Sequence, residues 1–328
     1  MSEVVVTGGC GFIGSHLVEQ LITRGDRVTV FDRTPPPADQ ALAREHAEFV
    51  AGDVRDADRL ADVITGRVDV VYHLAAVVGV DQYLAQPVDV IDTNFSATRN
   101  VVDLTTAAGS LLVLASTSEV FGKNPVTPWR EDGDRVLGPT SASRWTYATS
   151  KALSEHLVTA FVQQHGLDAT IVRYFNAYGP RQRPAYIVSR SIHRALNGRV
   201  PVVYDDGSHT RCFTFIDDII EGTLLAADSP KALGESFNLG SMTETTVGEV
   251  VGLIRRHTGF AEEAVSVRTA EQLSDSYQDV PRRVPDNTKA AGVLGWHPGT
   301  SLSDGIAKTV AWARDAGWWL AQADTGAR

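Results

Sequence analysis

Cysteine is scarce in this sequence, and long apolar runs are absent from it. The 328 residues include only Cys10 and Cys212, which are too few for a disulfide framework or a thiolate metal site. No stretch reaches the roughly 20 apolar residues that cross a bilayer. Met1 leads directly into Val4–Val6, without a basic region and cleavage site before them. We therefore expect a cytoplasmic protein with no metal site and no membrane partner.

Positive charge is also in deficit. The chain has 30 Lys and Arg residues against 40 Asp and Glu residues, which gives a formal net charge of −10. A nucleic-acid-binding protein presents a basic face, so this balance argues against nucleic acid as a partner. An anionic small molecule is still allowed, because backbone amides and a few arginines create local positive potential.

Short apolar runs alternate with helical segments along the first half of the chain. The runs are continuously apolar, which indicates strands buried on both faces, as in a parallel sheet covered by helices. The length suffices for one large α/β domain with a smaller second lobe. We therefore predict a Rossmann-type, doubly wound parallel sheet with strands at Val4–Thr7, Val28–Phe31, Phe49–Val50, Val68–Tyr72, Leu111–Leu114 and Ala169–Arg173 and helices at Phe12–Thr23, Arg59–Ile64, Val88–Ala108 and Tyr147–His165.

A glycine-rich turn joins the first predicted strand to the first predicted helix. Gly8, Gly11 and Gly14 have the spacing GxxGxxG, which serves a tight turn, close approach of the backbone to a pyrophosphate and close helix–sheet packing. The helix begins near Phe12 and Ile13, and its amides point towards the phosphates. Asp32 ends the next strand, where a carboxylate accepts hydrogen bonds from ribose hydroxyls and repels the extra phosphate of NADP. With Arg33 beside it, this site predicts NAD as the cofactor.

Tyr147 and Lys151 lie at positions i and i+4 of a predicted helix, which places them on one face. A free tyrosine has a pKa near ~10 and is a poor base at neutral pH. A neighbouring ammonium favours the phenolate and lowers that pKa. The pair therefore predicts a catalytic base for hydride transfer from a carbinol carbon.

These motifs, together with Gly52–Asp56, His73–Ala76 and Ala115–Gly122, resemble the extended short-chain dehydrogenase/reductases, the NAD-dependent epimerase/dehydratase family. The resemblance implies that Tyr147 is the base, that Lys151 anchors the cofactor, and that Thr117 bonds the reacting sugar oxygen. His73 is interpreted as a structural residue at a strand end. The further cofactor contacts that the resemblance implies are Asp53, Val54, Leu74, Ala75, Ala76, Asn94, Ser116 and Tyr174.

The resemblance continues through Arg173–Pro184 and Asp206–Asp218, the segments that hold a nucleoside diphosphate sugar in that family. It implies a UDP-sugar substrate. Besides Thr117, its expected ligands are Ser118, Asn176, Arg211 and either Arg282 or Arg283, of which Arg282 is the first choice. Arginine suits a diphosphate because its planar fork of donors matches phosphate oxygens.

Two reactions of glucuronate compete in this interpretation. Gly179–Pro184 resembles the run found in UDP-glucuronate 4-epimerases, in which the arginine at the Arg183 position pairs with the sugar carboxylate. Thr117–Glu119, Arg144-Trp145 and Arg211–Thr214 resemble UDP-glucuronate decarboxylases instead. That resemblance implies Ser118 and Glu119 as further catalytic residues, with Glu119 as the acid near the enolate. The family's dehydratases carry Asp-Glu after the active threonine, and Ser118-Glu119 departs from that pair.

We expect a 4-epimerase that converts UDP-glucuronate to UDP-galacturonate through a transient 4-keto intermediate. A charge-assisted pair with Arg183 would keep the β-keto acid from losing CO₂. The alternatives are a UDP-glucuronate decarboxylase, a UDP-glucose 4-epimerase and a catalytically idle NAD-binding module. An idle module is disfavoured because Thr117, Tyr147 and Lys151 are all present.

Residues 1–174 are expected to form the NAD-binding domain, with later segments at about 210–240 returning to it, and residues 175–328 mainly the nucleotide-sugar lobe. The spacing of apolar residues in the second half of the chain predicts helices near Ser189–Leu196, Ile216–Ala227, Thr246–His257 and Lys289–Leu294. The family resemblance implies a homodimer that packs the helices Val88–Ala108 and Tyr147–His165 of two copies together.

Overall fold

A seven-stranded parallel sheet forms the centre of the structure, a computed structural model that describes residues 1–268, 280 and 282–324. The sheet order is β11-β6-β5-β4-β1-β2-β3. The strands in chain order are β1 Glu3–Thr7, β2 Arg27–Asp32, β3 Glu48–Ala51, β4 Val70–His73, β5 Leu111–Thr117, β6 Ala169–Tyr174, β7 Ala177–Tyr178, β8 Val202–Tyr204, β9 Thr210–Cys212, β10 Thr214–Phe215, β11 Ser236–Leu239, β12 Glu244–Thr246, β13 Val265–Val267 and β14 Arg282–Arg283.

Helices cover both faces of this sheet. In β1, Val4 and Val6 belong to the apolar core on one face and Val5 to the core on the other, because successive side chains of a strand point to opposite sides. The predicted doubly wound sheet is confirmed. The helices are α1 Phe12–Arg24, α2 Ala41–His46, α3 Ala57–Ala61, α4 Val80–Ala85, α5 Pro87–Ile91, α6 Ala97–Ala108, α7 Thr146–His165, α8 Ile187–Leu196, α9 Ile216–Asp228, α10 Val247–Thr258, α11 Thr288–Leu294, α12 Leu302–Asp315 and α13 Gly317–Leu320.

The helix predicted at Val88–Ala108 is interrupted. It consists of α5, a π-helical turn at Asp92–Ser96, and α6. A π turn accommodates extra backbone between two α-helical segments and is often found next to functional sites. The predicted helical region is confirmed, and the apolar spacing of the sequence does not reveal the π turn inside it.

The strand order reverses beside β1. The chain builds β1, β2 and β3 in one direction and then crosses to β4, β5 and β6 on the other side. In open α/β sheets, ligands bind in the crevice at the carboxyl ends of the strands, at such a reversal. Thr7, His73 and Thr117 occupy the carboxyl ends of β1, β4 and β5.

Small sheets build the part of the molecule that faces this crevice. β9 pairs with β12 and β14, β7 with β10, and β8 with β13. The helices α8, α10 and α12 pack beside them. β11 pairs with β6 at the edge of the large sheet, so the chain returns to that sheet after it has begun the second group of elements.

Candidate active site

A cavity of about 890 Å³ lies between the carboxyl ends of the sheet strands and the second group of elements. It gathers residues that the sequence analysis drew from widely separated motifs. The expected cofactor residues that line it are Gly8, Gly11, Phe12, Ile13, Gly14, Asp32, Arg33, Asp53, Val54, Leu74, Ala75, Ala76, Ser116, Tyr147, Lys151 and Tyr174.

The glycine-rich turn is shaped by close backbone contacts. Gly8 has φ +72°, and a Cβ atom there would lie 2.7 Å from the amide nitrogen of Ala75. A Cβ on Gly14 would lie 2.2 Å from the carbonyl oxygen of Gly8. The amide of Gly11 donates to that same carbonyl at 3.1 Å. Glycine is therefore required at two of these positions, which leaves the start of α1 open to a ligand.

Asp32 stands at the end of β2, beside this turn. Its Oδ2 accepts a hydrogen bond from the amide of Cys10 at 3.0 Å, and its Oδ1 accepts one from the amide of Thr34 at 3.3 Å. These bonds hold the carboxylate at the cavity wall. The orientation suits recognition of a ribose.

Asn94 and His73 support the site from behind. The Asn94 side chain is buried in the π turn, where it accepts from the amide of Val77 at 2.8 Å and donates to the Val77 carbonyl at 3.0 Å. It is not among the cavity-lining residues, so the structure gives it a loop-supporting position instead of the expected cofactor contact. His73 bonds Thr7 and Thr98, at 2.7 and 3.0 Å. Burial, together with the nearby charge of Lys151, lowers the pKa of His73 to about 3.

The structure brings Thr117, Tyr147 and Lys151 together. The hydroxyl groups of Thr117 and Tyr147 are hydrogen-bonded, and the Lys151 Nζ donates to the Ala115 carbonyl at 2.9 Å. Burial raises the pKa of the Tyr147 phenol. Burial also lowers the pKa of Lys151 to about 8, and the Glu155 carboxylate opposes that fall. Lys151 follows Tyr147 by one helical turn, and a cation near a phenol favours the phenolate, which is the form that accepts a proton.

Glu119 lies in the cavity wall beside this group. Its Oε2 is 2.6 Å from Nη2 of Arg144, and its Oε1 is bonded by Nη1 of Arg283. Burial opposes ionisation of Glu119, but the two arginines outweigh it and lower the pKa to about 2. Glu119 is therefore ionised at neutral pH. The expected role of Glu119 as an acid is therefore not supported; the carboxylate instead anchors two arginines.

Arg183 also lines the cavity, but an acidic residue already neutralises it. Its Nη1 and Nη2 donate to Asp81 at 3.0 and 2.7 Å, and Nη2 also donates to the Val78 carbonyl at 3.2 Å. Tyr186 bonds the same guanidinium, which lies 5.5 Å from the centre of its ring. A substrate carboxylate at Arg183 would have to compete with Asp81.

The remaining expected substrate residues divide into two groups. Ser118, Asn176 and Arg211 line the cavity. Arg282 does not; it is exposed and forms an ion pair with Glu244 at 2.5 Å. The choice of Arg282 over its neighbour is a correction, because adjacent residues of a strand point to opposite sides and Arg283 is the one that faces the cavity.

Comparison with known proteins places this arrangement in a family. The model of the NAD dependent epimerase/dehydratase family matches residues 4–240. The chain belongs to this family. The identification expected from its motifs is confirmed, and so is NAD as the cofactor.

The proteins similar to this chain are named for different reactions. The chain is 38% identical over 320 residues to the UDP-N-acetyl-alpha-D-glucosaminuronate decarboxylase of Bacillus cytotoxicus, and the match covers 95% of this chain and 97% of the relative. A UDP-glucose 4-epimerase structure from Thermotoga maritima, with UDP-glucose, is 30% identical with a TM-score of 0.86, covering 95% and 99%. MoeE5 in complex with UDP-glucuronic acid and NAD is 30% identical with a TM-score of 0.84, covering 96% and 99%.

The residues present fit NAD. Gly8 and Gly14 leave no room for a Cβ, so the backbone amides at the start of α1 are accessible to a ligand. Asp32 is held beside this turn by the amides of Cys10 and Thr34. Tyr147, Lys151 and Ser116 line the same cavity. A phosphate-binding turn and a catalytic pair in one cavity are what a dinucleotide with a reactive nicotinamide requires.

Three cavity residues were missed as site residues. Asp81 lies in the first turn of α4 and contacts Arg183 across 102 residues, so no local pattern marks it. Tyr186 lies directly before α8 and bonds Arg183 three residues earlier in the chain. Arg144 does carry a sequence signal, because it precedes Tyr147 by three residues. In the structure it lies almost fully buried in the turn directly before α7.

No helix within the described ranges is long and apolar enough to span a membrane.

Proposed function

We propose that this family member removes CO₂ from a UDP-linked hexuronate, with oxidation at C4 of the sugar as the activating step. The observation that carries the proposal is the Glu119 carboxylate held between Arg144 and Arg283, next to Thr117 in the cavity wall. Two fixed guanidinium groups supply positive charge to an anionic substrate. A relative with 38% identity is named for decarboxylation of a UDP-linked uronate.

Tyr147 takes the proton of the C4 hydroxyl, and Thr117 hydrogen-bonds that oxygen. Lys151 stabilises the phenolate form of Tyr147. When bound, NAD supplies hydride acceptance and return at C4. The oxidised sugar is a β-keto acid, so the C5–C6 bond breaks with release of CO₂ and leaves an enolate, whose C5 takes a proton from solvent.

Glu119 orients the arginines in this scheme and does not transfer a proton. Its pKa of about 2 keeps it anionic, and its two oxygens engage two different guanidinium groups. The arginines then bind the uronate carboxylate and the oxyanion that develops after CO₂ leaves. Preorganised cationic donors of this kind stabilise a transition state strongly, because they need no rearrangement during the reaction.

A UDP-glucuronate 4-epimerase is the second candidate, and the observation that favours it is the presence of Arg183 in the cavity lining. That reaction requires the ketone intermediate to be reduced before CO₂ is lost. The proposed restraint is a pair between Arg183 and the substrate carboxylate. The bidentate contact of Arg183 with Asp81 weighs against it, since the guanidinium charge is already balanced.

The deciding experiment is incubation of the NAD-loaded enzyme with UDP-glucuronate and, separately, UDP-N-acetylglucosaminuronate. We expect a nucleotide sugar lighter by one CO₂ from at least one of them, resolved by chromatography and mass. A product of unchanged mass and altered retention would instead establish epimerisation and overturn the proposal. Conversion of UDP-glucose alone would overturn both uronate reactions. Tyr147→Phe is the inactive control.

We further propose that two copies of the chain pair through α5 and α7. Val88 is 69% exposed and Leu153 46% exposed, on two helices that pack against each other, and Leu84 and Ile91 are exposed near Val88 in the chain. Exposed apolar side chains on adjacent helices are typical of an interface. Light scattering of the wild type should give twice the mass of one chain. Leu153→Asp should give the mass of one chain, and Val126→Asp, an exposed change outside these helices, should leave the dimer intact.

A further inference from the structure

A buried carboxylate stands directly behind the catalytic residues. Glu155 is 2% exposed and lies one helical turn after Lys151 on α7, on the same face. Its Oε1 accepts a hydrogen bond from Ser116 Oγ at 2.5 Å and one from Nε of Arg173 at 2.9 Å. Its Oε2 accepts from Nη2 of Arg173 at 2.8 Å and from Nη2 of Arg135 at 2.5 Å.

These bonds tie three parts of the chain to one point. Ser116 and Arg173 are opposite each other on the paired strands β5 and β6, and both reach Glu155 on α7. Arg135 comes from the long loop between Gly122 and Ala142. Ser116 immediately precedes Thr117, so the bond from its hydroxyl fixes the strand end that carries the reactive threonine.

We propose that Glu155 is a positioning residue for the catalytic group, which keeps the ammonium of Lys151 charged and fixes Thr117 through Ser116. The role is independent of whether the sugar product is decarboxylated or epimerised, because both reactions need Tyr147, Lys151 and Thr117. Glu155 itself touches neither substrate nor cofactor, as it is not among the cavity-lining residues.

The charges around Lys151 determine in which direction each substitution should move its pKa. His73 on β4 is close enough for the charge of Lys151 to lower its pKa, and Tyr147 lies one turn before Lys151 on α7. Both are uncharged at neutral pH, since burial raises the pKa of Tyr147 and lowers that of His73. Glu155 is thus a negative charge that supports the ammonium, and the same carboxylate is bound by Arg135 and Arg173. Removing Glu155 leaves two unbalanced cations behind Lys151, whereas removing Arg135 lowers the net charge of the Glu155, Arg135 and Arg173 cluster from +1 to zero.

Direct titration of Lys151 tests the charge. In protein labelled with ¹³C-lysine, the Lys151 resonance is assigned by its loss in Lys151→Arg, and its midpoint is followed with pH. We expect Glu155→Gln to lower the midpoint by about one pH unit, the scale of one nearby charge in a partly polar interior. Arg135→Leu should raise it. Unchanged midpoints, or shifts in the same direction, would overturn the charge role.

Ser116→Ala tests the second half of the proposal. It leaves every charge in place and removes only the hydroxyl that joins Glu155 to the end of β5. We expect kcat to fall about tenfold, as for the loss of one positioned hydrogen bond, while the Lys151 midpoint stays at its wild-type value. Full activity in Ser116→Ala would show that Glu155 does not act through Thr117. Because Arg135 is on a loop and Ser116→Ala is a small change, both tests remain available if Glu155→Gln fails to fold.

Discussion

Arg183 and Asp81, 102 positions apart in the chain, form a bidentate ion pair at the wall of the cavity. Gly79 makes room for it: a Cβ there would lie 2.1 Å from Nη2 of Arg183, and the glycine has φ +127°. The loop after β4 is therefore shaped to receive this arginine. The ion pair links the start of α4 to the segment that precedes α8.

The first prediction separates Arg183 from Arg283 as the ligand of the uronate carboxylate. Arg283→Gln should lower kcat/KM for the UDP-hexuronate by about 100-fold, on the scale of losing one positioned donor to a developing charge. Arg183→Gln should change it by less than about fivefold, since a partly exposed ion pair contributes little. Steady-state kinetics of the two variants make the comparison. The reverse order of effects would favour the epimerase.

The second prediction concerns the stability that Glu119 confers. Glu119→Gln leaves Arg144 and Arg283 next to each other without an anion, which should lower the free energy of unfolding by about 3 kcal/mol. Glu244→Gln removes the partner of Arg282 in an exposed pair and should cost less than about 1 kcal/mol. Urea unfolding at neutral pH measures both. Equal costs would contradict the anchoring role of Glu119.

The third prediction is a pH dependence of folding that originates at His73. In the unfolded chain this histidine binds a proton below its ordinary pKa of 6.5, whereas the folded chain does not until about pH 3. The unfolded state therefore gains protons first, so stability falls as the pH drops below 6.5, by about 2 kcal/mol near pH 5. His73→Gln should show a shallower loss over this interval. His46→Gln, at an exposed histidine, should follow the wild type.

The fourth prediction compares two glycines inside helices. Gly14→Ala would place a methyl group 2.2 Å from the Gly8 carbonyl, and we expect it to destabilise the fold by about 2 kcal/mol and to weaken NAD binding. Gly292 lies in α11 with nothing near its Cβ position. Gly292→Ala should therefore stabilise the fold by about 0.5–1 kcal/mol. Thermal unfolding with and without NAD distinguishes them, and a stable Gly14→Ala enzyme that retains NAD would refute the close-packing argument.

The features of this protein that the sequence predicts are those that depend on residues close together in the chain. The glycine turn, Asp32 and the Tyr147–Lys151 pair depend on spacing within one strand or helix, so their positions follow from local geometry. Glu119 and Arg283 meet across 164 positions, and no local pattern encodes that contact. Only the folded structure shows that Arg144 and Arg283 bind Glu119 and keep it ionised.

The choice between Arg282 and Arg283 failed for a different reason. β14 is two residues long, too short for an alternation of apolar and polar residues to mark which side faces inward. The π turn escaped prediction because its extra backbone does not disturb the general helical pattern around it. Asn94 consequently occupies a supporting position behind the loop.

The edge strand β11 has a consequence for the order in which the protein acquires its structure during synthesis. Residues 236–239 complete the large sheet beside β6, so a nascent chain that ends soon after β6 carries an unpaired strand edge. Such edges recruit strands from other molecules and promote aggregation. Expression of residues 1–174 alone should therefore yield an aggregation-prone fragment, and the ribosome must release more than two thirds of the chain before this edge can be sealed.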